Sequence, residues 1–184
     1  MAGSNEVLLV RHGETDDNAA HRFQGRNDTL LNDRGRDQSR ALARALTGEG
    51  LLALYSSPLA RARETAEIVG AQLGLQPVYD DRLMEADVGE WQGRLSADID
   101  ADHPGALAAW RAVDPGFRFP GGESVPELAA RVAASLADIG AGPLPALVVT
   151  HGGSIRAVHG IAVPGGADAN CELHRVPASL AGQT

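Results

Sequence analysis

Two apolar runs, far apart in the chain, each end abruptly on a histidine followed by glycine. Val7-Leu8-Leu9-Val10 stops at Arg11-His12-Gly13-Glu14-Thr15, and Ala146-Leu147-Val148-Val149-Thr150 stops at His151-Gly152-Gly153. Short apolar runs rich in valine and leucine, without polar alternation, read as buried strands. Helical segments lie between them, so the pattern is that of an α/β domain with a mainly parallel sheet covered on both faces. Ligands of such sheets bind beyond the carboxyl ends of the strands, where both histidines stand. An Arg next to a His at a strand end suits a site that binds an anion and attacks it. Two such junctions predict two imidazoles facing one phosphate. Gly13 is expected to let the backbone bend sharply behind the first of them.

The remaining chain fills in the layers. Asn32 or Asp33 caps a helix over roughly 34–47, stopped by Gly48 and Gly50. Residues 14–32 read as a loop with a short helix, and residues 51–56 as a strand. Ser57 as N-cap and Pro58 in the first turn begin a helix whose stripe is Leu59, Ala62, Ala66, Val69 and Leu73. Residues 77–79 form a short strand, residues 80–95 a loop holding Trp91, and residues 96–113 weak helix broken at Pro104-Gly105. A strong helix runs from Glu123 to Ile139, a short one spans about 153–161, and a last strand about 170–176. The expected fold is one three-layer α/β/α domain over residues 1–184, with its core in about 7–176 and a frayed tail at 177–184.

Composition narrows the partners. The net charge is −8, which argues against a nucleic-acid or anionic-membrane surface. A few arginines in a pocket still suffice for one phosphate. All 16 basic residues are Arg, a bias that fits a GC-rich genome and carries no functional weight. No stretch has the length of a membrane span, Met1 to Glu6 do not resemble a secretory signal, and the single Cys171 excludes an internal disulfide. A cytoplasmic location is expected, and the oligomeric state is open between monomer and homodimer. No metal-ligand spacing is present among the six histidines, so neither a metal nor another cofactor is expected.

His12 is the candidate nucleophile, since a neutral imidazole attacking phosphorus splits one hard displacement into two easier ones. Arg11 supplies a planar fork for phosphoryl oxygens, although strand alternation puts it opposite His12 unless the turn brings them together. Arg61 sits in the first turn of its helix, off the apolar stripe, where a helix N-terminus favours anions. Arg63 competes for that role, with Glu67 at i+4 as its ordinary partner. His151, protonated, would stabilise the charge spreading over the equatorial oxygens. Glu85 is the candidate general acid, with Asp81, Asp87 and Glu90 as rivals in the same loop.

At this point the chain resembles the histidine phosphatase superfamily, the phosphoglycerate-mutase-like proteins. The matching pieces run in order from Arg11 to Thr15 with Asn18, Gln24-Gly25, Leu31 to Gly35, Ser56 to Ala66, Leu83 to Gly93, Gly121 to Ser124, and His151 to Gly153. The resemblance picks Arg61 over Arg63 and Glu85 over its rivals. It implies that His12 is phosphorylated, that Arg11, Asn18, Arg61 and His151 surround the phosphate, and that Gln24, Gly25 and Gly152 line the substrate side. It also implies that no metal is needed. The mutases of the family place Arg and Tyr soon after the acidic Glu, then a Lys and an Arg pair; here Ala86-Asp87-Val88-Gly89 follows Glu85 and the chain has no Lys. That departure puts the chain with the phosphatases acting on a small phosphorylated metabolite. Trp91 to Gly93, Asp100 to Gly105 and Trp110-Arg111 further resemble the actinobacterial glucosyl-3-phosphoglycerate phosphatases. The rival readings are a mutase and a non-catalytic module that binds phosphorylated ligands. Ile161 to Gly166 is shorter than the family's usual segment, which touches the pocket's outer wall and dimer contacts.

Overall fold

The computed structural model describes residues 5–159 and 169–178. Five strands form one sheet: β1 (Glu6–Arg11), β2 (Ala53–Ser56), β3 (Pro77–Tyr79), β4 (Ala146–Thr150) and β5 (Leu173–Pro177). Their order is β3-β2-β4-β1-β5. The first four run parallel, and β5 lies antiparallel on the edge beside β1. The helices are α1 (Asp16–Ala19), α2 (Asp33–Ala45), α3 (Ala60–Leu73), α4 (Ser96–Asp102), α5 (Ala106–Arg111), α6 (Val125–Gly140) and α7 (Gly152–His159).

Alternation along the strands assigns each helix to a face. Val7, Leu9, Ala146 and Val148 point into a core shared with Leu128, Val132, Leu136 and Ile139 of α6, Trp91, and Trp110 of α5. Leu8, Val10, Leu147 and Val149 point the other way, against Leu42 of α2 and Ala62, Ala66 and Val69 of α3. The fold is therefore α/β with helices on both faces of a mainly parallel sheet.

The central pair fixes the site. β1 and β4 are neighbours in a register that pairs Arg11 with Thr150, and the N–H of His12 donates to the Thr150 carbonyl at 3.0 Å. The two histidines thus leave adjacent strands at one level.

Helix starts follow local chemistry, with one exception. Asn32 caps α2 by accepting from the Gly35 N–H, and Ser124 caps α6 in a capping box with Glu127. Thr15 and Asn18 form the same box on α1. The exception is α3, which begins at Ala60 rather than at Pro58, with Leu59 as an N-cap that has no side-chain bond. Asp28, from the distant loop, accepts from the Ala60 N–H at 2.6 Å instead. The end of the chain also differs from expectation. Pro177 does not begin a frayed tail but closes β5, opposite Glu6. The shortened segment at 161–166 and the expected end of the short helix at residue 161 lie outside the described residues.

Candidate active site

A cavity of about 390 Å³ opens at the carboxyl ends of β1 and β4. Arg11, His12, Asn18, Gln24, Gly25, Arg61, Glu85 and Gly152 all line it. His151 stands just behind that lining, fully buried, with its ring centre 5.2 Å from that of His12. The nine residues expected from the sequence are therefore brought together, although His151 is not on the cavity wall. Arg11, the last residue of β1, and His12, the first after it, face the same cavity despite strand alternation, because the strand ends between them.

The His12 ring is set by two hydrogen bonds. Nδ1 lies 2.7 Å from the Gly13 carbonyl, which can only accept, so Nδ1 carries the proton. Nε2 then presents a lone pair, and Nε–H of Arg61 donates to it at 3.1 Å. Burial, then Arg61 and Arg11, hold the imidazole well below its ordinary pKa, against the opposing pull of the Gly13 bond. His12 is neutral at neutral pH, with its unprotonated Nε2 accepting from a guanidinium.

Arg61 is buried in the first turn of α3 and donates to the carbonyls of Asn27 at 2.7 Å and Gly25 at 2.8 Å. Burial draws its pKa down to about 10, with Glu85 acting in the opposite direction, so it remains cationic at neutral pH. The helix N-terminus itself is not offered to a ligand, contrary to the sequence expectation, because Asp28 occupies it. Arg63 is half exposed and lies 4.0 Å from Glu67 on the surface.

His151 differs most from its expected state. Burial, followed by the neighbouring Arg61, His12, Arg11 and Arg131, keeps its pKa well below the ordinary value, so it is neutral rather than protonated. Its Nε2 lies 2.8 Å from Oγ of Ser57, while its buried Nδ1 has no partner. Ser57 is thus diverted from the capping role assigned to it; its Oγ meets His151 and accepts from Leu59 N–H at only 3.3 Å.

Glu85 reaches the cavity from a loop that is tied down behind it. Its Oε1 accepts from Ala86 N–H at 2.9 Å and its Oε2 from Gly153 N–H at 3.1 Å. Arg131 of α6 donates to the carbonyls of Arg82, Met84 and Glu85 and pairs with Glu123 at 2.7 Å. Thr150 and Ser154 hold the carbonyls of Leu83 and Met84. The rival acids do not share the cavity: Asp81 and Glu90 are exposed, and Asp87 accepts from Gly89 N–H.

Glycine serves close approach here. Gly13 follows the end of β1 without a left-handed backbone; a Cβ on it would lie 2.4 Å from the Gly35 carbonyl oxygen. Two backbones touch there, which seats α2 against the His12 turn. Asn170, missed in the sequence, donates from Nδ2 to the His12 carbonyl at 2.9 Å and to Oδ1 of Asn18 at 3.3 Å. With Thr15 N–H also on that oxygen, the Asn18 amide is oriented with its NH₂ group away from it. Arg131 and Asn170 have no local sequence signal, and the signal at Ser57 is that of a helix cap, since each acts here on residues distant in the chain. Among the described residues no group of three or more His, Cys, Asp or Glu is placed to hold a metal, and no helix is long and apolar enough to cross a membrane.

A family model described as histidine phosphatase superfamily (branch 1) matches residues 7–180. The chain belongs to the histidine phosphatase superfamily. Among its relatives is the glucosyl-3-phosphoglycerate phosphatase of Mycobacterium tuberculosis, 39% identical over 165 residues that cover 84% of this chain and 74% of that one. Phosphoglycerate mutase-like protein 4 of Arabidopsis thaliana is 39% identical over 164 residues, covering 86% and 71%. A solved mycobacterial glucosyl-3-phosphoglycerate phosphatase in complex with VO3 superposes with a TM-score of 0.84 at 36% identity, covering 92% of this chain and 91% of that chain. The superfamily reading made from the motifs, and the likeness to glucosyl-3-phosphoglycerate phosphatases, are both met by these relatives.

Proposed function

We propose that this histidine phosphatase hydrolyses the phosphate monoester of a small metabolite through a phosphohistidine on His12, without a metal. One observation supports this above the others: a buried, neutral His12 presents the lone pair of Nε2 to a cavity that also holds Arg11, Arg61 and Glu85.

The steps follow from the placement. The substrate's phosphoryl group enters between Arg11 and Arg61, with the Asn18 amide as a third donor. The Arg61 Nε–H turns from Nε2 of His12 to a phosphoryl oxygen; the freed Nε2 attacks phosphorus, the P–Nε2 bond forms, and the bond to the ester oxygen breaks. Glu85 protonates that oxygen as the alcohol leaves, then takes a proton from the water that cleaves the P–N bond. Inorganic phosphate departs and His12 is neutral again. Burial and then the neighbouring cations hold His151 neutral; a dianionic phosphoryl group opposes the second of these and so favours protonation of His151 when it binds. The cytoplasm is the compartment we assign, on the single free thiol.

The test is a screen of phosphorylated metabolites, glucosyl-3-phosphoglycerate and 3-phosphoglycerate included, for release of inorganic phosphate, with His12→Ala as the blank. Release by the wild type alone supports the reading. Formation of 2-phosphoglycerate without free phosphate would assign a mutase, and tight binding without turnover a phospho-ligand module.

A further inference from the structure

His151 and Ser57 form a closed pair behind the cavity wall. Both residues are fully buried, and Nε2 of His151 lies 2.8 Å from Oγ of Ser57. Nδ1 of His151 is buried too and has no hydrogen-bond partner among the described residues. The ring stands at 60° to that of His12, with the centres 5.2 Å apart.

Which nitrogen of the neutral ring carries the proton follows from matching donors to acceptors. Oγ of Ser57 accepts from Leu59 N–H at 3.3 Å. The Ser57 backbone is engaged elsewhere: its N–H donates to the Val149 carbonyl at 3.0 Å, and its carbonyl accepts from the Ser56 hydroxyl at 2.9 Å. Among the described residues the hydroxyl hydrogen of Ser57 has one acceptor, Nε2 of His151. With that bond made, Nδ1 carries the ring proton and a single N–H is left unpaired. The other tautomer leaves more unmet. Nε2–H would then donate to Oγ, and both the hydroxyl hydrogen and the Nδ1 lone pair would lack a partner. Buried polar groups without partners are costly, so the first arrangement prevails.

The unpaired Nδ1–H is a donor awaiting an acceptor. The two nitrogens of an imidazole look in different directions, so Nδ1–H is turned away from Ser57. The charged side chains that act on His151 are Arg61 of α3, Arg11 at the end of β1 and Arg131 of α6, which offer donors only. The fourth neighbour is His12, whose Nδ1 meets the Gly13 carbonyl and whose Nε2 accepts from Arg61. A phosphoryl group arriving at His12 brings the oxygen that this pocket lacks.

We infer that Ser57 is a positioning residue for catalysis: its hydroxyl holds His151 as the Nδ1–H tautomer, so that the neutral ring meets the phosphoryl group as a hydrogen-bond donor. His151 then stabilises the group in transfer without first taking a proton from water. When the bound dianion does bring a proton to Nε2, the Ser57 oxygen turns from donor to acceptor and the ring keeps its place. This inference rests on the hydrolase reading above.

Two measurements test it. Nitrogen NMR of the histidine rings at neutral pH, without substrate, reads the tautomer directly; the His151 signals are those absent from a His151→Gln protein. The wild type should carry its proton on Nδ1 with Nε2 bare. A proton on Nε2 overturns the inference, and that result needs no Ser57 variant to fold. The second measurement is a double-mutant cycle in kcat/KM on 4-nitrophenyl phosphate. Ser57→Ala should cost about tenfold in the wild-type background, the worth of one hydrogen bond to a charged group. In the His151→Gln background it should cost less than about twofold, because its effect passes through the imidazole. Equal losses in the two backgrounds, or none in the wild type, overturn the inference and leave the hydrolase reading standing. The tautomer is read without turnover, so a wild type that hydrolyses no phosphate monoester defeats the hydrolase reading and not the placement of the proton.

Discussion

Gly153→Ala isolates the role of Glu85 without touching a charged group. The added Cβ would lie 2.4 Å from Oε1, 3.0 Å from Cδ of Glu85 and 3.0 Å from Cζ2 of Trp110. Carbon contacts settle near about 3.5 Å, so the carboxyl group must retreat by roughly 1 Å. Two of the obstructing atoms are the end of a flexible side chain beside a cavity and the third belongs to the buried Trp110 ring, so the cost to stability should be about 1 kcal/mol, the low end for overpacking. The cost to catalysis should be larger: a displacement of roughly 1 Å in a catalytic group removes about 10²-fold, or about 2.7 kcal/mol of barrier. The assay is kcat/KM on glycerol 3-phosphate and on 4-nitrophenyl phosphate. The alkyl alkoxide needs a proton to leave and should lose about 100-fold. Nitrophenolate leaves unprotonated and should lose less than about tenfold. An equal loss on both substrates, or none on either, would refute the assignment of Glu85 as proton donor.

Acid stability carries the signature of the two buried imidazoles. Both His12 and His151 titrate well below 6.5 in the folded protein, so the unfolded chain binds more protons as pH falls from about 6.5 toward the folded values. Their contribution is complete above about pH 6.5 and declines below it by up to roughly 1.4 kcal/mol per pH unit for each imidazole. Urea midpoints at about pH 7 and pH 5.5 should show the fall, and a His12→Gln, His151→Gln protein should flatten it. Arg131→Met removes the guanidinium from Glu123 and from the carbonyls of Arg82, Met84 and Glu85, with Ser154 still on Met84 and the Asp87 N–H still on Glu123, and should lower unfolding free energy by about 3 kcal/mol in denaturant titrations. Asn170→Ala removes one of the two donors that orient the Asn18 amide and should raise the inhibition constant of inorganic phosphate roughly fivefold, the worth of about one hydrogen bond.

The strands and both histidine junctions were legible because buried parallel strands are short apolar runs, and an apolar run ending on Arg-His-Gly is a local signal. The stripes of α3 and α6 and the caps Asn32 and Ser124 are local in the same way. What escaped was set by distance in the chain. Ser57 reads as a helix cap until His151, 94 residues on, claims its hydroxyl. The close approach of the Gly35 backbone to Gly13 adds a second constraint that the sequence around Gly13 does not carry. The neutral state of His151 depends on burial and on four neighbouring charged or titratable groups, none of which a spacing reveals.

The central claim is covalent, and rapid quenching during turnover addresses it most directly. Wild-type protein mixed with substrate, stopped in alkali and digested, should yield the peptide containing His12 with one phosphoryl group, stable to base and lost in acid. The His12→Ala protein should yield none. A phosphoryl group on any other side chain, or sustained hydrolysis by His12→Ala, would contradict the account.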